Sequence, residues 1–144
     1  MTLNKPLVIL DTTVFISAYL SSNPDSSPNK IISLWQRGDF LLIVTPQLLK
    51  ELVTVLERKK VNFRTIIELT KIIKRIAVIK EGIYQTNYLD KIDSKDNIFL
   101  SACYESKADY LVSLDKHLLN LKHFHNTLIF NPQSFLNQLN QKPL

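Results

Sequence analysis

Short, continuous apolar runs recur along this chain and constrain its fold more than any other feature. Each run is four or five residues long, which is a usual length for a strand and too short for a helix. Runs without polar alternation are typical of strands that are buried on both faces of a sheet. The predicted strands are Leu7–Leu10, Phe40–Val44, Ile76–Ile79, Tyr110–Ser113 and Thr127–Phe130.

Segments with helical patterns separate these strands. The predicted helices span residues 12–20, 30–36, 46–57, 63–74, 96–105, 116–121 and 132–139, and residues 80–95 are predicted to be irregular. Buried strands that alternate with helices indicate an α/β fold, in which helices cover both faces of a parallel sheet. Ligands bind beyond the carboxyl ends of the strands in such sheets, so residues at those ends are the first functional candidates.

The length and composition of the chain narrow its class. A chain of 144 residues with 45% apolar residues is expected to form one domain, residues 1–144. It contains one cysteine, no apolar run of the ~18 residues needed to cross a bilayer, and no recognisable signal peptide. We therefore expect a cytoplasmic protein without a membrane segment.

The glycine content and the net charge of the chain limit the classes of ligand that it can bind. Gly38 and Gly82 are the only glycines, which excludes the glycine-rich loops of dinucleotide and P-loop nucleotide enzymes. The formal net charge of +5 suits a nucleic-acid partner, although a basic surface also serves solubility.

Four acidic residues occupy positions where function is expected. Asp11 and Asp115 follow predicted strands, and Asp96 stands at the start of a predicted helix. Each aspartate has an ordinary alternative role, which is to cap the helix that follows it. Glu51 lies in mid-helix beside an apolar stripe, so it cannot be a cap. A carboxylate in that position needs either a salt-bridge partner or a metal ion.

The four acids together form a pattern that capping does not explain. Three aspartates at one edge of a parallel sheet, with one half-buried glutamate, would gather several negative charges in one cleft. Mg²⁺ and Mn²⁺ take oxygen ligands and are usually bound by a few carboxylates, water and substrate phosphate. Such an ion would neutralise the cluster and would equip it for phosphodiester hydrolysis.

The acids stand in sequence contexts that resemble the PIN domain family of nucleases, particularly the toxin components of prokaryotic toxin–antitoxin systems. The matching segments are VILDTTVFISA at residues 8–18, TPQLLKELVTVL at 45–56 and DSKDNIFLSACYESKADYLVSLDKHLL at 93–119. With the order of elements between them, they span nearly the whole chain. The resemblance carries over Asp11, Glu51, Asp96 and Asp115 as the metal-site acids of the family.

This resemblance implies a fold and an activity. The implied fold is a three-layer α/β/α sandwich with a central parallel sheet of about five strands. The implied activity is Mg²⁺- or Mn²⁺-dependent hydrolysis of RNA phosphodiester bonds, with an antitoxin as partner and a homodimer as the assembly. A non-catalytic PIN-like module that binds RNA or protein is the alternative, which the presence of all four acids disfavours.

The chain departs from the family pattern at two points. Thr13 stands where asparagine is common, and the segment Leu114 to His117 replaces a more common Gly-Asp-Lys-Asp. The Thr13 hydroxyl still forms hydrogen bonds, so we expect altered tuning rather than lost activity. By the same resemblance, Asp93 and Ser113 are expected to support the site.

Two other families with an aspartate after the first strand are excluded by the sequence. A haloacid-dehalogenase-like phosphatase requires a second acid at the position where Thr13 stands. A phosphoacceptor receiver domain requires an aspartate after a middle strand, and the segment FLLIVTP offers none.

Basic, histidine, cysteine and aromatic residues complete the set of candidates. A run of basic residues after the Glu51 helix would bind phosphates, although a solvated helix face explains it equally well. This run contains Arg58, Lys59, Lys60 and Arg64. His123 and His125 are too few for a zinc site. Core packing, rather than base stacking, is expected for Cys103, Tyr19, Trp35, Tyr84 and Tyr88.

Overall fold

The computed structural model describes residues 4–89 and 96–141, which form six strands and seven helices. In chain order they are β1 (Leu7–Leu10), α1 (Thr12–Leu20), α2 (Ser27–Arg37), β2 (Leu41–Val44), α3 (Pro46–Arg58), α4 (Phe63–Ile76), β3 (Val78–Ile79), α5 (Asn97–Ser106), β4 (Tyr110–Val112), α6 (Lys116–Leu119), β5 (His123–Phe124), β6 (Thr127–Phe130) and α7 (Pro132–Asn140). None of these helices is long and apolar enough to span a membrane.

The strands form a sheet in the order β3-β2-β1-β4-β6-β5. β1 and β4 are parallel neighbours at its centre, aligned so that Leu10 lies beside Val112. The Asp11 N–H extends this ladder by donating to the Val112 carbonyl at 2.9 Å. Because both strands run in the same direction, the residues that follow them, Asp11 and Ser113, leave the sheet at one edge.

This architecture confirms the predicted three-layer α/β/α sandwich around five parallel strands, with one correction. β5 pairs antiparallel with β6 and makes the sheet mixed rather than purely parallel. The chain turns between these strands at His125, whose backbone is left-handed with φ of 52°. A strand of two residues carries no usable periodicity, which explains why the sequence did not indicate it.

Two predicted boundaries shift for local reasons. α2 begins at Ser27 instead of Lys30, because the Ser26 hydroxyl caps it by accepting a hydrogen bond from the Asn29 N–H at 3.3 Å. α4 continues through Ile76, and the Ala77 N–H still donates to the Ile73 carbonyl at 2.9 Å. The strand predicted over residues 76–79 is therefore reduced to Val78–Ile79.

Aromatic side chains join the helices to the sheet in the core. Phe135 of α7 is fully buried and meets Phe40 edge-on, with ring centroids 5.4 Å apart. It also meets Tyr110 of β4 at 5.6 Å. Trp35 of α2 packs edge-on against Phe15 of α1 at 6.4 Å. These contacts hold α7 against the central sheet and α1 against α2.

The predicted core residues are found in the core, with two exceptions. Cys103 is buried, and burial raises the pKa of its thiol to about 12, so it is an unreactive core residue. Trp35 is buried and Tyr19 packs against the core. The prediction was wrong for Tyr84 and Tyr88, whose exposed fractions are 37% and 63%. Their rings pack at the surface instead, Tyr84 against Tyr104 with ring centroids 4.5 Å apart and Tyr88 against Phe124 at 5.5 Å. The Tyr84 N–H also donates to a Glu105 carboxylate oxygen at 2.7 Å.

Candidate functional site

The carboxyl edge of the central strands borders a cleft of about 410 Å³. Its lining comes from the β1–α1 junction, from α3, from the start of α5 and from the start of α6. The four predicted acids all line this cleft: Asp11, Glu51, Asp96 and Asp115. The fold therefore brings together acids that lie far apart in the sequence.

Asp11 is the most deeply buried of the four acids, with only 3% of its surface exposed. It occupies the N-cap position of α1, and its side chain makes no capping hydrogen bond of ordinary geometry, although the Thr13 backbone amide opposes the rise that burial causes in its pKa. Its Oδ2 atom instead accepts hydrogen bonds from the hydroxyls of Thr13 at 2.9 Å and Ser113 at 2.5 Å. The Asp11 carboxylate is thus oriented by residues from two different strand ends.

The two hydroxyls are themselves held by backbone donors. The Thr13 hydroxyl accepts from the Leu114 N–H at 3.1 Å, and the Ser113 hydroxyl accepts from the Asp115 N–H at 2.9 Å. Each hydroxyl directs its proton at Asp11, because the amide N–H on its other side can only donate and the carboxylate oxygen accepts. Thr13 and Ser113 therefore both contact Asp11, and their supporting role in a metal site stays a prediction.

The electrostatic environment of Asp11 is unfavourable to its charge. Burial raises the pKa of Asp11 above its ordinary value, and the nearby negative charge of Asp115 acts in the same direction. The hydrogen bonds from Ser113 and Thr13 oppose this rise without cancelling it. A bound cation would supply the compensation that the protein itself does not provide.

Asp96, Asp115 and His117 form a tighter group at the same cleft. One ligand atom from each of these three side chains lies within 4.8 Å of the others. Asp115 caps α6, as capping predicted, by accepting from the His117 N–H at 2.7 Å, whereas Asp96 makes no capping bond to α5. His117 was noted in the sequence as a departure from the family pattern but was not identified as a site residue.

Glu51 lies half-buried on α3, on the lining of the cleft. No salt bridge joins it to any residue that the structure describes, which disfavours the ion-pair explanation. Arg58 and Lys59, at the end of the same helix, also line the cleft. Lys60 and Arg64 are exposed and lie outside its lining, and Asp93 lies outside the described residues.

The donor set at the cleft fits a divalent metal ion. Carboxylate oxygens from several elements converge with one imidazole, and both are ligands that divalent cations accept. The hydrogen bonds to the Asp11 Oδ2 atom also resemble the outer interactions that orient metal ligands in proteins.

The chain is thus an α/β/α sandwich whose cleft, at the carboxyl edge of the sheet, is lined by four acidic residues. The sequence profile of the PIN domain matches residues 7–117, and the chain belongs to the PIN domain family. It is 32% identical over 132 residues to an uncharacterized protein of Methanocaldococcus jannaschii, with 88% of this chain and 82% of that protein covered.

The fold is also similar to that of a solved structure. The match is a chain in the crystal structure of VapBC2 from Rickettsia felis bound to a DNA fragment from their promoter. The TM-score is 0.60 at 15% sequence identity, and the alignment covers 87% of this chain and 98% of that chain. At this identity the likeness supports the fold alone.

Replacing Asp11 with asparagine tests the cost of its buried charge. Because the pKa of Asp11 is raised, the folded state binds a proton more tightly than the unfolded state, and the charged carboxylate costs stability at neutral pH. Asparagine keeps the shape and retains an oxygen that accepts the two hydroxyl bonds. We therefore expect Asp11→Asn to raise the melting temperature at pH 7 in EDTA, measured by thermal unfolding.

The control for this comparison is Asp25→Asn, at an exposed position outside the cleft. It should change the free energy of unfolding by less than ~0.5 kcal/mol. The stability of the wild type in EDTA should also rise as the pH falls towards the raised pKa of Asp11, and this rise should be absent in Asp11→Asn. A lower melting temperature for Asp11→Asn would show that the carboxylate stabilises the metal-free fold.

Ser113→Ala tests the hydroxyl network. It removes a donor to Asp11 and an acceptor for the Asp115 N–H, so we expect a loss of ~1–3 kcal/mol in stability. We also expect Mn²⁺ affinity to fall by ~10–100-fold, measured by isothermal titration calorimetry. Ser106→Ala is the matched control, because Ser106 is a buried serine that donates to the Ala102 carbonyl on α5. It should lower stability without lowering metal affinity; equal metal affinities in the two variants would contradict the role assigned to Ser113.

Proposed function

We propose that this chain is a metal-dependent endoribonuclease that hydrolyses phosphodiester bonds in RNA with Mg²⁺ or Mn²⁺. The observation that carries the proposal is the convergence of Asp11, Glu51, Asp96 and Asp115 in one cleft of a PIN domain. Capping accounts for Asp115 alone among the three aspartates, so the gathering of the acids calls for another explanation. We assign the four acids to the binding of the catalytic ion.

The four acids have different surroundings and therefore different parts in the proposed site. When bound, a divalent ion supplies Lewis acidity that activates a water molecule and offsets the negative charge that develops on the phosphate. Asp11 is fixed by the Thr13 and Ser113 hydroxyls, so its orientation is set before substrate binds. Ligand atoms of Asp96 and Asp115 lie within 4.8 Å of each other, and Glu51 lines the cleft from α3.

Arg58 and Lys59 are suited to bind the RNA backbone. Both are exposed at the end of α3, and both line the cleft that holds the acids. Cations at this position would hold phosphate groups next to the acidic centre, with an affinity that falls as salt is added. Lys60 and Arg64 would extend this contact over the neighbouring surface.

The biological role we propose is that of the toxin in a toxin–antitoxin system, acting on RNA in the cytoplasm. Support comes from the family resemblance and from the fold match to the VapBC2 structure of Rickettsia felis. The proposed assembly is a homodimer that binds an antitoxin protein. The alternative is a non-catalytic PIN-like module that binds RNA or protein, and such a module would not cleave RNA.

Cleavage of labelled RNA tests the nuclease directly. Wild type, Asp11→Asn, Asp96→Asn and Glu51→Gln are compared with Mn²⁺, with Mg²⁺ and with EDTA. We expect wild type to cleave only with metal and each variant still to bind RNA. Each variant should lose more cleavage activity than the ~10–100-fold that is typical when a residue supporting a metal ligand is changed. Glu57→Gln, an exposed glutamate on the same helix, is the matched control and should cleave like wild type. If wild type cleaves none of several RNA classes with any of the metals, the nuclease proposal is contradicted and the non-catalytic binding module is favoured.

Growth on expression tests the proposed toxin role separately. We expect wild type to arrest growth of the host, Asp96→Asn not to do so, and co-expression of the product of the neighbouring gene to restore growth. Optical density and viable counts measure the effect. A nuclease that is active in vitro but harmless in cells at equal protein levels would contradict the toxin role and leave the enzyme assignment in place.

A further inference from the structure

His117 lies at the rim of the acidic cleft, two residues beyond Asp115. Its backbone N–H donates to the Asp115 Oδ1 atom at 2.7 Å, and its imidazole Nδ1 lies 3.8 Å from the same oxygen. The side chain is 36% exposed, so solvent and ions reach it, and it lies beside Asp115, which lines the cleft. The first turn of α6 therefore presents an imidazole and a carboxylate side by side.

The spacing of these groups matches the needs of a single metal ion. Oxygen and nitrogen ligands of small divalent ions lie ~2.0–2.2 Å from the metal, so two ligands of one ion are separated by ~3 Å when adjacent and ~4.2 Å when opposite. The Asp115 Oδ1 and His117 Nδ1 atoms, at 3.8 Å, fall inside this interval. The ligand atoms of Asp96, Asp115 and His117 all lie within 4.8 Å of one another, so small side-chain rotations would complete the set.

An imidazole ligand raises the affinity of a metal site for some divalent ions more than for others. Mg²⁺ is bound in proteins by oxygen ligands and retains several waters, so a nitrogen ligand adds little to its affinity. First-row transition ions accept imidazole nitrogen more readily than Mg²⁺ does, with the preference weakest for Mn²⁺ and stronger for Fe²⁺, Ni²⁺, Cu²⁺ and Zn²⁺. A site with both carboxylates and an imidazole therefore discriminates in favour of the transition ion.

We propose that His117 is a ligand of the catalytic ion and makes the site selective for a first-row divalent transition ion over Mg²⁺. The proposal rests on the proposed function, because it concerns the same metal site. It assigns to His117 a specificity role that the four acids do not supply. Wild type binds Mn²⁺ through one nitrogen of the His117 imidazole. Replacement of His117 by a residue with an oxygen ligand lowers the selectivity for Mn²⁺ over Mg²⁺.

The experiment measures metal binding rather than catalysis. Mn²⁺ binds to the full chain without RNA, and pulsed EPR detects hyperfine coupling between the Mn²⁺ electron spin and a ligand nitrogen. Competition with Mg²⁺, followed by the Mn²⁺ EPR signal, gives the ratio of the two affinities. Wild type is compared with His117→Asp, which offers an oxygen ligand instead, and with His117→Ala. His123→Gln is the matched control, because His123 is an exposed histidine on β5.

We expect wild type and His123→Gln to show the nitrogen coupling and His117→Asp and His117→Ala to lack it. His117→Asp should keep Mn²⁺ binding but lower the Mn²⁺-to-Mg²⁺ affinity ratio, because an oxygen ligand suits both ions. His117→Ala should lose about 10-fold or more of its Mn²⁺ affinity. Circular dichroism of each variant verifies that the fold is retained.

The failures of the two proposals are distinguishable. Mn²⁺ bound to wild type without nitrogen coupling, or an unchanged affinity ratio in His117→Asp, overturns the role of His117 as a ligand and leaves a metal site made of acids. His117 would then be a partly exposed histidine beside Asp115 without a role in metal binding. A wild type that binds no Mn²⁺ overturns both this inference and the metal-dependent nuclease on which it rests.

Discussion

The parallel pairing of β1 with β4 is the interaction on which the whole site depends. It aligns Leu10 with Val112 and lets the Asp11 N–H continue the ladder to the Val112 carbonyl. The two chains then leave the sheet side by side, close enough for the Ser113 hydroxyl to reach Asp11. A shift of one residue in this register would turn the side chains of one strand to the opposite face and separate the two residues. Packing of the strands on both faces prevents such a shift, since Ile9 and Leu111 are fully buried.

Asp11 shows how stability and function oppose each other in this cleft. Burial makes its charge unfavourable, and the neighbouring Asp115 charge adds to the effect. The hydroxyls of Thr13 and Ser113 hold the carboxylate in one orientation but leave its charge incompletely compensated. Binding of a cation would relieve this repulsion and so would stabilise the folded state. Thr13 contributes to this arrangement through its hydroxyl, which also receives the Leu114 N–H.

The cleft combines two kinds of position. Asp11 is buried and accepts two hydroxyl hydrogen bonds, whereas Asp115 and His117 lie at the start of a four-residue helix, where both are partly exposed. Glu51, Arg58 and Lys59 approach the cleft from α3, so one helix supplies both an acid and two cations. This distribution suits a site in which buried acids set the geometry while the rim exchanges ions and meets a polyanion.

Local sequence determined most of the strands and helices and all four cleft acids. The apolar runs at Leu7–Leu10 and Thr127–Phe130 agree with the observed strands, because burial on both faces leaves a clear sequence pattern. Glu51 was identifiable because a carboxylate beside a buried stripe is unusual. In contrast, β5 was missed because two residues have no period. The exposure of Tyr84 and Tyr88 was misjudged because their segment is irregular, so the spacing of aromatic residues on a helix does not apply to it.

Only the tertiary structure decided the roles of residues whose contacts come from distant parts of the chain. Asp11 and Asp115 look alike in sequence, since both follow a strand and precede a helix, yet Asp115 caps its helix while Asp11 faces Thr13 and Ser113. His117 reads as a departure from a pattern until the start of α5 places Asp96 within 4.8 Å of it and Asp115. Sequence records which chemical groups are present and which local structure they favour. Hydrogen-bond partners, burial and the spacing of ligand atoms arise from chain segments that meet only after folding, and these quantities decide which carboxylate is a cap and which belongs to a site.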